Sequence, residues 1–280
     1  PSGAPTGSAE RDARTLTAAR EQRTKERRLR TRDIVLAIGT PIVLLLAWEL
    51  AARTDAIDSR LFPPPTRIFA QAGEMIADGT LLEHLGATAV RLLVGMAVGA
   101  VLGVLVGLAM GTSRALNAAF GPMFSALYAL PKIAILPLLL LIFGLTETPK
   151  ILAVAISVFF VMQINTVAGV RQIDPKINEA ARAYGARGIA RFWQITLPGA
   201  LPFIFSGLRV ATGTAVIVIT AVEFVASNTG LGFLIWNSWQ LFQPEQMYVG
   251  LVTVALVGAV LTGIFALLER LALPWRRGRK

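Results

Sequence analysis

Six stretches of this chain are each long and apolar enough to cross a lipid bilayer: 34–52, 88–110, 119–144, 149–170, 199–226 and 247–272. A hydrocarbon core ~30 Å thick requires about 20 apolar residues in helical form. Lipid offers no water to the backbone, so a spanning segment must be a helix or a strand of a closed barrel. None of the six runs shows the apolar–polar alternation of a barrel strand. The expectation is an all-α integral membrane protein with six transmembrane helices. Composition agrees, with 54% hydrophobic and 16% charged residues.

Basic residues orient such a bundle, because Lys and Arg collect on the cytoplasmic side. Arg23, Lys25, Arg27, Arg28, Arg30 and Arg32 precede the first span, and Arg276, Arg277, Arg279 and Lys280 follow the last. Both termini are therefore expected in the cytoplasm. An even number of spans then puts connections 111–118 and 171–198 there as well, and these carry Arg114 and then Arg171, Lys176, Arg182, Arg187 and Arg191. Connection 53–87 is richer in acid (Asp55, Asp58, Glu74, Asp78, Glu83) than in base, and no Lys or Arg occurs from Val210 to Glu269. The organisation expected is a basic cytoplasmic arm, 1–33, a six-helix domain, 34–273, with a cytoplasmic loop at 171–198, and a basic tail, 274–280. The arm reads as a lead-in resting near anionic lipid headgroups.

Several function classes fall away on composition. The net charge of +10 invites nucleic acid, but the basic residues are spread over one membrane face without a basic–aromatic groove, so no nucleic-acid partner is expected. Cysteine is absent, and His84 is the one histidine. It reads as a surface residue in a connection, and no metal site is expected. Neither a GxxxxGK[ST] phosphate loop nor an HExxH pair occurs, and Glu49 and Glu223 are too distant in sequence to be read as an acid–base pair. A signal peptide over 1–52 competes with the first span, but Trp48 and Glu49 stand where small cleavage-site residues belong. No catalytic constellation and no cofactor of the chain's own is expected.

Within the spans, Gly95, Gly99, Gly103, Gly107 and Gly111 recur at every fourth position. Such a stripe lets a neighbouring backbone come close, as helices in lipid require. Pro131 and Pro137 interrupt the third run, each removing a helical hydrogen bond and inviting a bend. Between the fourth and fifth runs lies a polar, Ala-rich segment. Asp174-Pro175 reads as an N-cap followed by proline at the first helical position. Ile177, Ala180, Ala181 and Tyr184 then share a face, and Gly185 is placed to end the helix in the left-handed conformation. Ile189, Phe192, Trp193 and Ile195 are expected to be buried in a second short helix before Leu197-Pro198.

Glu179-Ala180-Ala181, three residues, Gly185, nine residues, Ile195, one residue and Leu197-Pro198 together resemble the cytoplasmic signature loop of bacterial ABC-importer permeases. LFPPPTRIF, PKIAILPLLLLIFGLTETPK, GLRVATGTA, Glu223 and TGLGFLI are similar to the branch that transports nitrate, sulfonates and taurine, and the likeness runs from Leu61 to Trp275. The resemblance implies the type I importer permease fold in a bacterial cytoplasmic (inner) membrane. It implies partner ABC ATPase subunits that hold ATP and Mg, a periplasmic or lipid-anchored substrate-binding protein, and a second permease copy forming a homodimer within membrane lipid. It also implies that Glu179, Ala180, Ala181, Tyr184, Gly185 and Ala186 meet the ATPase through a coupling helix. Gly230, Leu231 and Gly232 would shape a turn before the sixth span.

For the path itself the candidates are Lys132, Gln163, Asn165, Arg209 and Glu223. Lys132 and Arg209 interrupt apolar spans at a depth of ~15–20 Å by the helical rise. A charge there costs at least ~2.5–3.5 kcal/mol, so each needs protein or water around it and a partner. Glu223, Gln163 and Asn165 are the polar groups on offer. Bracing of the bundle is one role; lining the path for an anionic solute is the other. A secondary transporter or channel subunit is the alternative class, although no internal repeat or deep cluster of ion-coupling residues is visible.

Overall fold

The computed structural model describes residues 32–33, 35–37 and 39–274. Most of the expected basic arm, 1–33, and all but Pro274 of the tail, 274–280, lie outside the described residues. The chain divides into two units, 1–67 and 68–280. In the first, α1 (Val35–Arg53) is long and apolar enough to cross a membrane. Its last turn is tied to the chain that follows. Glu49 accepts hydrogen bonds from the Thr66 backbone N–H at 3.0 Å and hydroxyl at 2.8 Å, and from Arg53 Nε at 2.5 Å. Helix α2 (Pro65–Ala77) runs from this unit into the next.

The second unit contains α3 (Thr80–Thr112), α4 (Arg114–Ala129), α5 (Leu136–Phe143), α6 (Thr148–Arg171), α7 (Pro175–Ala183), α8 (Gly188–Arg191), α9 (Leu197–Ala226), α10 (Leu231–Gln240) and α11 (Pro244–Ala272). No strand occurs among the described residues. Helix α3 begins eight residues before the expected span boundary at 88. Hydropathy marks where lipid begins, whereas the helix runs back to its N-cap, Gly79, at φ +85°, and Asp78 just before it accepts the Thr80 N–H at 2.9 Å. That bond holds the Asp78 carboxyl below its usual range.

The glycine stripe of α3 lies against α6. A Cβ at Gly99 would stand 2.3 Å from the Ala155 carbonyl oxygen, and one at Gly103 2.6 Å from that of Phe159. Only hydrogen fits at these positions. The apolar core joins α3, α6 and α9 through Leu92, Met96, Val158, Met162, Ile204 and Ile219. Among the described residues five helices are long and apolar enough to span a membrane, and there are six if the broken pair α4–α5 is counted as one span.

That pair departs from the expected kinked helix over 119–144. Leu130 is extended (φ −67°, ψ 135°), as the residue before a proline is biased to be. A 3-10 turn, Lys132–Ile135, follows, and α4 and α5 meet at 93°. The two prolines have different effects. Pro131 breaks the run, whereas Pro137 sits in the first turn of α5, where its missing N–H has no intrahelical acceptor to lose.

Candidate functional site

At the α7 end of the bundle, Asp174 Oδ1 accepts the Lys176 N–H at 2.9 Å, and Pro175 opens the helix. Gly185 has φ +83°, and the Ala186 N–H folds back to the Ala181 carbonyl at 2.8 Å. Helix α7 therefore begins and ends where its capping residues dictate. Glu179, Ala180 and Gly185 are exposed and Ala186 is half-buried. Tyr184 is 93% exposed, whereas Ala181 is 8% exposed and packs inward. Beside α7 lies a cavity of about 370 Å³, lined among others by Thr112, Arg171, Asn178, Glu179, Arg191 and Thr196.

The second short helix differs from expectation. Ile189 and Trp193, expected to be buried, are 78% and 62% exposed. Helix α8 is a single turn that passes through a π-helical turn, Phe192–Thr196, directly into α9. It does not fold back as an independent amphipathic helix, so Phe192, Ile195 and Thr196 turn inward while the Trp193 ring stands edge-on to Phe192.

At the opposite, α10 end, a buried charge network ties α3, α6, α9 and α10 together. Arg91 Nη1 donates to Glu223 Oε1 and to the Thr229 carbonyl, both at 2.7 Å. Its Nη2 donates to Thr229 Oγ1 and to Glu147 Oε1, both at 2.9 Å, and Nε donates to Glu147 Oε2. Every N–H of the guanidinium is used. Thr88 donates to the Glu223 carboxylate and accepts the Leu231 N–H at 2.7 Å, while the Gly232 N–H reaches Glu223 Oε2 at 2.9 Å. Gly230, at φ +113°, permits this approach, because a Cβ there would lie 2.3 Å from Glu223 Oε1. His84 is not a surface residue in a connection. It lies half-buried on α3, and its Nδ1 accepts the Gly230 N–H at 3.1 Å.

Lys150 closes the network by donating to Glu147 at 2.7 Å. Hydrogen bonds from Arg91 and then Lys150 hold the Glu147 carboxyl down at about 2. Two cations thus face two carboxylates. Sequence reasoning singled out Glu223 but not Arg91, Glu147, Lys150 or Thr88. The signal was present: Arg91 is a lone charge near the start of an apolar span, and the mate for Glu223 needed to be sought across 132 residues of sequence.

The five path candidates are not gathered in one chamber. Glu223 belongs to the α10-end network. Arg209 pairs with Glu269 at 3.1 Å, not with Glu223, Gln163 or Asn165. Buried Gln163 donates from Nε2 to Met110 Sδ at 3.2 Å, while its Oε1 has no partner among the described residues. The Asn165 amide turns back to its own helix at the Val161 carbonyl, 2.8 Å away. Lys132 lies at the α4–α5 break, donates to the Tyr128 carbonyl, and stands 4.4 Å above the Tyr128 ring.

Residues 99–274 match the family of binding-protein-dependent transport system inner membrane components. The chain belongs to this family. It is a permease subunit of a binding-protein-dependent ABC importer, a non-catalytic membrane component whose ATP is held by a partner ATPase. An ATPase and a binding protein are thus its partners. A putative aliphatic sulfonates transport permease protein of Escherichia coli K12 is 36% identical over 84% of this permease and 89% of its own length. A taurine transport system permease protein of the same organism is 31% identical over 88% and 91%. A riboflavin transport system permease protein of Chloroflexus aurantiacus is 36% identical over 85% and 90%. In fold, the permease is similar to a chain of the MetNI methionine ABC transporter, with a TM-score of 0.60 at 19% identity over 69% of this chain and 96% of that one. The expected type I importer architecture is thereby observed.

Proposed function

We propose that two identical copies of this permease form the path by which a small organic anion, of the sulfonate or taurine type, enters the cell. Both termini and the segment 171–198 face the cytoplasm, with 1–33 as a basic arm, 34–273 as the permease domain and 274–280 as a basic tail. Helix α7 docks on the ATPase through Glu179, Ala180, Tyr184, Gly185 and Ala186, while Ala181 seats the helix on its own bundle. One observation carries this reading: α7 is a capped helix followed by Tyr184, which is 93% exposed, and by Gly185, which turns the chain at φ +83°. A large aromatic side chain in such a position is a ready anchor for a partner.

The mechanism is alternating access. Closure of the ATPases on ATP displaces α7 and α8, and the unbroken passage from α8 through the π turn into α9 carries that displacement along the bundle. Lys132, with Gln163, Asn165, Arg209 and Glu223, supplies the polar positions of the helices that move. The cargo class is supported by the relatives named for aliphatic sulfonates and taurine. The coupling reading is tested with Glu179→Lys, which reverses a contact charge, and Gly185→Val, which forces a β-branched residue into the left-handed region. Both variants are expected to insert normally and to lose uptake and substrate-stimulated ATP hydrolysis together. Survival of both activities at wild-type levels contradicts the docking surface.

A further inference from the structure

The break between α4 and α5 falls inside the expected span 119–144, where lipid tolerates non-helical backbone only if it is buried in protein or borders a water-filled cavity. A cavity of about 430 Å³ occupies this place, within the ~300–1,000 Å³ range of small-molecule sites. Tyr128 and Lys132 line it from the break, Ser157 and Val161 from α6, and Thr214 and Ile217 from α9. The two cations that interrupt the spans thereby separate in role. Arg209 has Glu269 as a counterion, whereas no carboxylate pairs with Lys132 among the described residues. The Lys132 ammonium is held instead by the Tyr128 carbonyl and lies near the faces of Tyr128 and Phe160, at 4.4 and 5.7 Å. A half-buried ammonium facing this apolar surface without a counterion is short of one negative charge.

We infer that this cavity is a transient site for an organic anion, whose headgroup supplies the missing counterion to Lys132 and whose short alkyl part lies against Val161 and Ile217. The inference rests on the importer reading and adds to it a place within one chain where the cargo pauses. Ser157 brings a hydroxyl to the same cavity, where it can donate to headgroup oxygens, while the Thr214 hydroxyl already donates to the Ala211 carbonyl at 3.0 Å. Most of the remaining wall is aliphatic, including Val218 and Ala221, so a bare inorganic ion leaves that surface unfilled. Occupancy is weak by construction, because the ammonium keeps its carbonyl and ring contacts when the site is empty. A cargo that must leave requires such a site.

The test uses the whole importer, permease with ATPases and binding protein, in proteoliposomes, together with direct binding to the permease–ATPase complex without the binding protein. The probes are radiolabelled butane-1-sulfonate, its neutral sulfonamide and inorganic sulfate. Saturable binding of the sulfonate is expected, with both comparators roughly ten-fold or more weaker, as loss of a charge-assisted bond or of apolar burial implies. Lys132→Met, checked for co-elution with the ATPase, is expected to lose sulfonate binding by a similar factor and to slow sulfonate uptake. Ala221→Leu, which fills the wall, is expected to shift preference toward shorter alkyl sulfonates while keeping the preference for charge. Equal sulfonate binding and uptake by wild type and Lys132→Met overturns the site while leaving the importer reading intact. Failure of the wild-type importer to take up any alkyl sulfonate, while it moves another solute, overturns the cargo class itself.

Discussion

Replacing Arg91 by Met removes the hub of the α10-end network, and the size of the effect follows from what is left behind. Glu223 is fully buried and loses its one cation, keeping only the Thr88 hydroxyl and the Gly232 N–H. Breaking a buried ion pair from one side costs about 3–5 kcal/mol, because the other charge remains desolvated. Glu147 loses Arg91 too, but its side chain is 57% exposed and it retains Lys150, so its share falls to the surface-pair range below about 1 kcal/mol. The Glu223 side therefore dominates. At roughly 2–4 °C per kcal/mol for a chain of this size, Arg91→Met is expected to lower the midpoint of unfolding in detergent by on the order of 6–20 °C. Thr88→Val, which takes a donor from Glu223 and an acceptor from the Leu231 N–H, is expected to cost about 1–3 kcal/mol, and Glu147→Gln less. Arg91→Met with Glu223→Leu is expected to be more stable than Arg91→Met alone, since no uncompensated carboxylate remains. Intrinsic tryptophan fluorescence on heating, together with the steady-state level in membranes, gives the ranking. Equal midpoints for Arg91→Met and wild type, or a larger loss from Glu147→Gln than from Arg91→Met, refutes the reasoning.

Two further outcomes are expected. Gly103→Leu is expected to separate α3 from α6 and to destabilise by about 1–3 kcal/mol or more, because its Cβ would lie 2.6 Å from a carbonyl oxygen, whereas Gly86→Leu on the same helix meets nothing within 4 Å and is expected to be tolerated; membrane abundance of the two variants checks this. Single cysteines at Asp78 and Gln243 are expected to react with an impermeant maleimide added to intact cells, and one at Ala183 is not; labelling at Ala183 from outside reverses the orientation.

What the sequence disclosed was what lipid and backbone geometry enforce locally. Hydropathy located the spans, a four-residue glycine period identified the close face of α3, and Asp174-Pro175 with Gly185 bounded α7. What escaped was set by contacts between distant residues or by competition between neighbouring preferences. The helical extent of α3 beyond lipid is set by the left-handed turn at Gly79 with Asp78 beside it, and α10 was hidden in a connection because it is only ten residues long. Exposure of Ile189 and Trp193 followed from the π turn joining α8 to α9, a hydrogen-bond shift that apolar periodicity does not register. Among site residues, the Arg91–Glu223 pair required tertiary proximity. The separation of Lys132 from Arg209 required knowing that Glu269 reaches one and not the other.

The exposed C-terminal end of α7 and the Tyr184 that follows it meet the ATPase in the proposed assembly. Site-specific photocrosslinking in intact membranes tests it most directly, with the photoreactive residue placed either at Tyr184 or at Phe242, which is 90% exposed beyond α10. The expected result is an ATPase adduct from Tyr184 and none from Phe242. An ATPase adduct from Phe242, with none from Tyr184, would contradict the claim.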